Sequence, residues 1–118
     1  MKDILAKLNK TSGVMGSMIV NRDGIVVASD FSVEIQEKSV GAVSSSILAA
    51  LEGALKRIDM GKFSRFLITG SEGKVAMVNA GNTILLVLLN TEVNMGMVNV
   101  DIKDAAATVT ERAKMSAA

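Results

Sequence analysis

Three stretches carry the residue types that chemistry would need. "GSEGKV" at 70–75 sets glycines beside a lysine, the makings of a phosphate loop. "GVMGS" at 13–17 spaces its glycines like half of a dinucleotide fingerprint, and Lys56, Arg57, Lys62 and Arg65 gather around the turn "DMGK" at 59–62. A phosphate loop needs an earlier glycine, a Ser or Thr after the lysine, and a helix whose first N–H groups converge on the anion. Here Ile68 stands where that glycine belongs, Val75 follows Lys74, and the residues beyond alternate like a strand. The stretch reads as a hairpin turn. "GVMGS" runs directly into a strand pattern: Gly13 ends the turn after a first helix, and Gly16 lets a neighbour approach closely. The cations either complement the negative end of a preceding helix or contact an acidic partner.

The chain holds no histidine and no cysteine. That removes Ser-His-Asp and Cys-His catalysis, disulfides and most zinc sites. Asp23, Asp30, Glu34, Glu37 and Glu72 fall in turns and at a helix start, without the spacing of an acid–base pair or a metal site. No catalytic residue, metal or cofactor is expected. With 118 residues, a net charge of +1 and three phenylalanines, neither a pull on nucleic acid nor a base-stacking platform is expected. The longest apolar run, "ILLVLL" at 84–89, is too short to insert across a membrane, and "MKDILAKLNK" lacks a signal-peptide core. These features predict a single domain over 1–118 in the cytoplasm.

Hydrophobic spacing sets out the elements that position these residues. Ile4, Leu5 and Leu8 share a face of a short helix. Strands follow at 14–20 and 25–29, joined by "NRDG", whose Asp-Gly suits a hairpin. The longest helical pattern covers 34–59, with Ser32 as its cap. Its aliphatic face is Val40, Val43, Ile47, Leu51 and Ile58, widened by Leu48 and Leu55. The opposite face carries Ala42, Ser45, Ser46, Ala49 and Gly53, where a solvated helix would carry lysine or glutamate. Strand patterns at 62–70, 74–80 and 83–89 have connections short enough to require an antiparallel meander. The last of these is apolar throughout and belongs at the centre. A final helix over 94–114 lines up Met95, Val98, Ile102, Ala105, Val109 and Ala113. Most methionines fall on apolar faces and are expected in the core; Met95 and Met97, flanking Gly96 at the start of the last helix, are expected there too, the alternative being a surface that adapts to a partner. The fold class is α+β, in the order α-β-β-α-β-β-β-α.

In this order and spacing the chain resembles the roadblock / dynein light chain domain family, in its prokaryotic small-GTPase-regulator type. The resemblance rests on Leu5 and Leu8; on Val14, Gly16, Ile19 and Val20; on Asp23-Gly24 and Val27-Ala28-Ser29; and on "GKVAMVNAGNTILLVLL" and "NMGMVNVDIKDAAATV". It implies a five-stranded antiparallel sheet between the long helix on one face and the two terminal helices on the other. It further implies a homodimer joined through the long helix and the strand at 63–69. The self or partner interface would then hold Ala42, Ser45, Ser46, Ala49, Gly53, Lys56, Phe63, Arg65, Phe66 and Ile68. Family members bind Ras-like small GTPases, which implies a non-enzymatic regulator or scaffold. The alternative is a purely structural dimerisation module of a larger complex, without effect on GTP turnover. Longer members carry a C-terminal tail beyond the last helix, and a tail-dependent contact is not expected here.

Overall fold

The structure, a computed structural model, describes residues 1–117. Its elements are α1 (Lys2–Leu8), β1 (Val14–Asn21), β2 (Val26–Phe31), α2 (Glu37–Arg57), β3 (Arg65–Gly70), β4 (Gly73–Ala80), β5 (Thr83–Leu89) and α3 (Met95–Ala117). The five strands form one antiparallel sheet in the order β2-β1-β5-β4-β3. The apolar β5 lies at its centre, as its composition requires: a strand with no polar face must be covered on both sides.

Alternation along the strands divides the interior into two layers. Ile19, Ala76, Leu85, Val87 and Leu89 join Leu5 and Leu8 of α1 and Val98, Ile102 and Val109 of α3. On the other face, Met18, Val20, Met77, Ile84 and Leu86 pack with Leu48 of α2 and with Phe63. The sheet therefore sits between α2 on one side and the terminal helices on the other.

The turns follow the local chemistry. At the β1–β2 turn the Asn21 side-chain oxygen accepts the N–H groups of Asp23 and Ile25 at 2.9 and 3.0 Å. Gly24 supplies the positive φ of +86° that closes the turn. "GSEG" closes the β3–β4 hairpin, with Gly70 opposite Gly73. Gly16 faces Phe31 across the β1–β2 ladder, and a methyl group there would collide with the aromatic ring.

Two element starts and one core assignment depart from expectation. α2 starts at Glu37, and its N-cap Gln36 makes no side-chain capping bond. Ser32 does not cap it. Its hydroxyl and its N–H both donate to the Met15 carbonyl, at 2.6 and 3.1 Å, which prolongs β2 pairing. β3 begins only at Arg65, because the preceding Phe63 turns inward, 4% exposed, beneath α2. Met97 stands 71% exposed at the start of α3 and is not a core residue, whereas Met95 packs against the core.

Candidate functional site

The side of α2 that meets the sheet is set by Gly41, Ser44 and Leu48, its three buried residues. Gly41 is small because the β1–β2 turn presses on the helix there. Four contacts hold it. A Cβ on Gly24 would come within 2.8 Å of the Gly41 carbonyl oxygen, so two backbones meet with no side chain between them. The Ser45 hydroxyl donates to the Arg22 carbonyl at 2.7 Å. The Arg22 guanidinium donates to both carboxylate oxygens of Glu52 at 3.0 Å, and also to the Asn79 side-chain oxygen at 3.2 Å.

This contact fixes the rotation of α2 and so decides what it presents outward. Ala42, Ser46 and Ala49 are exposed, and a Cβ added to Gly53 would meet nothing within 4 Å. Ala50 and Ala54 are exposed beside them, as are Val43 at 56% and Ile58 at 60%. The outer face is thus small and aliphatic over most of the helix. Val43 and Ile58 were expected on the inner face, and the structure moves both outward. The missing signal was Gly41 and Ser44: Gly41 lies inside where the distant Gly24 turn meets it, and the buried Ser44 hydroxyl donates to the Val40 carbonyl of its own helix at 2.7 Å.

The other candidate positions separate. Lys56 is exposed at the end of α2, and Ile68 is 37% exposed on β3. Arg65 is exposed and donates to the Asn99 side-chain oxygen on α3 at 2.6 Å. Phe66 is half-buried against the α2-side core. Two expected interface residues are engaged within the chain. Phe63 is a core residue, and the Ser45 hydroxyl is held by the β1–β2 turn. β3 is an edge strand, hydrogen-bonded only to β4, and Leu67 and Ile68 on it are 40% and 37% exposed.

No group of three or more acidic side chains that could hold a metal ion occurs among the described residues. No helix among them is long and apolar enough to cross a membrane. The shifted titrations lie far from α2: the Arg112 guanidinium, bound to Asp3 through two hydrogen bonds at 2.6 Å, holds that carboxyl well below the usual range.

A family model for the Roadblock/LC7 domain matches residues 1–90. The chain belongs to the Roadblock/LC7 domain family. Among curated proteins it is similar to the uncharacterized protein MJ0310 of Methanocaldococcus jannaschii, 41% identical over 103 residues, covering 87% of this chain and 90% of the relative. Among solved structures it is similar to Myxococcus xanthus MglB, with a TM-score of 0.90, 22% identity and 98% of each chain covered. A structure described as MglB with tetrameric arrangement also has a TM-score of 0.90, at 18% identity, covering 97% of this chain and 88% of the other. At these identities the likeness to MglB is one of fold. Within that fold, this roadblock chain has the helix face and sheet edge described above.

Proposed function

We propose that this roadblock chain is a non-enzymatic regulator or scaffold for a Ras-like small GTPase and works as a homodimer. The observation that carries the reading is the outer face of α2. Ala42, Ser46, Ala49, Ala50, Gly53 and Ala54 leave that face with almost no long polar side chain. Small side chains let a second helix approach closely, and burying Val43 with them removes exposed apolar surface from water. The edge of β3 supports the same reading, because pairing it with a second β3 satisfies its free N–H and C=O groups and removes an aggregation-prone edge. The printed description of a fold neighbour as a tetrameric arrangement of MglB fits a fold that self-associates.

A paired α2 platform need not supply a catalytic group. A regulator accelerates hydrolysis or nucleotide release by binding one arrangement of the GTPase switch loops better than another. The chain has no histidine or cysteine to suggest an activity of its own.

Two measurements test the proposal. Light scattering gives a dimer mass for the wild type and a monomer mass for the double variant Ala49→Glu, Gly53→Lys; an unchanged dimer removes this face from self-association. The purified chain is then added to the small GTPase encoded nearest to it, and GTP hydrolysis and nucleotide release are followed. Absence of binding in either nucleotide state sinks the regulator reading. Binding without a rate change selects the scaffold.

A further inference from the structure

α3 packs on β4 and β5 but leaves the outer part of the sheet open on its own side. An open groove results between the start of β3 and α3. Lys62, Arg65 and Lys103 line it above an apolar floor that includes Val78, Ile102 and Ala106. Not one carboxylate lines it. None of the three cations forms an ion pair among the described residues, whose ion pairs are Met1–Asp3, Arg22–Glu52, Arg112–Asp3 and Lys114–Glu111. Arg65 is nevertheless held in place, because one guanidinium nitrogen donates to Asn99 at 2.6 Å. Leu67, two residues along the same face of β3, is 40% exposed and extends the apolar surface.

Cations concentrated on one groove of a chain with a net charge of only +1 are a local feature, not a consequence of composition. We propose that this groove binds an acidic, aliphatic-bearing peptide segment of a partner protein. Its carboxylates would meet Lys62, Arg65 and Lys103, and an aliphatic side chain would cover Val78 and Leu67. The apolar floor favours a peptide over a small free anion, which would gain nothing from it. The lack of exposed aromatic side chains in the groove disfavours a nucleic-acid strand, which needs stacking platforms. The site lies on the face of the sheet opposite α2. It would let one roadblock chain hold a second protein while α2 stays free, and it does not depend on the GTPase reading.

The test uses the full chain, isotope-labelled for NMR, titrated with a synthetic peptide that alternates glutamate with leucine. A matched lysine–leucine peptide and inorganic phosphate serve as comparisons. The expected result is saturable binding of the acidic peptide alone, with amide shifts at Lys62, Arg65, Asn99 and Lys103. The charge-reversed variant Lys62→Glu, Lys103→Glu should bind at least about tenfold more weakly. Both substitutions are at exposed positions, and an unchanged melting temperature confirms that the variant is folded. The milder pair Lys62→Gln, Lys103→Gln should fall between the two and serves as the test if charge reversal unfolds the chain. The proposal is overturned by any of four results: no saturable binding, equal binding by the folded variants, shifts confined to α2, or the same shifts from phosphate, which would mean an adventitious ion only.

Discussion

Gly24 and Gly41 touch backbone to backbone: a Cβ on either residue would run into the other's carbonyl oxygen. Gly24 closes the β1–β2 turn and Gly41 lies in the first half of α2, so this contact sets how the helix lies on the sheet.

It yields opposite outcomes for two glycines of one helix. Gly→Ala inside a helix ordinarily gains about 1 kcal/mol. At Gly41 the added methyl meets the rigid Gly24 carbonyl, and overpacking of this kind costs about 1–3 kcal/mol. Gly41→Ala should therefore lower the denaturation midpoint or leave no gain. Gly53→Ala meets nothing within 4 Å and should raise the midpoint of the monomeric chain by the equivalent of about 0.5–1 kcal/mol. Urea unfolding at low protein concentration checks both.

Asp59 is the only non-glycine residue with positive φ among the described residues, at +54°. It ends α2 in a Schellman arrangement, its N–H on the Lys56 carbonyl at 3.3 Å and the Met60 N–H on the Leu55 carbonyl at 3.0 Å. This position favours glycine, and a carboxylate near the negative end of a helix is also unfavourable. Asp59→Gly should stabilise the chain by about 1 kcal/mol, and Asp59→Ala, which keeps a Cβ at positive φ, should not. Thermal melts of the two variants side by side decide it.

The Asp3 carboxyl is held low by Arg112 and by the N-terminal ammonium. A depressed folded-state pKa means that the unfolded chain takes up the proton first as pH falls. The contribution to stability is complete above the unfolded value of about 3.8 and disappears as pH drops through the folded value. Melting temperatures of the wild type and Asp3→Asn should differ at neutral pH and converge in strong acid. A constant gap would show that the pair does not act through protonation.

Phe63 separates the interface reading from the core reading. Buried beneath α2 at 4% exposure, its truncation to alanine should cost about 3–5 kcal/mol in the monomer, whatever the state of association. Ile68→Ala on the exposed β3 edge should cost much less stability and act mainly on self-association. Equilibrium unfolding over a range of protein concentrations distinguishes them.

Strand alternation and turn chemistry made most of this fold legible. The apolar run at 84–89 could only be central, Asp23-Gly24 could only turn, and the short connections forced a meander. The face of α2 was partly legible, through Ala42, Ser46, Ala49 and Gly53. Its rotation was not. Val43 and Ile58 look like core by periodicity, and Gly41 and Ser44 do not.

The sequence by itself determined the elements, their order and the two-layer burial of the sheet, because these follow from periodicities within a few residues of each position. Only the tertiary structure decided which way α2 turns, that Phe63 and Ser45 are engaged inside the chain, and that Lys62, Arg65 and Lys103 share one groove. Those outcomes depend on contacts between residues far apart along the chain. Such contacts are set by backbone shape at a meeting point such as Gly24 and Gly41, which no local pattern encodes.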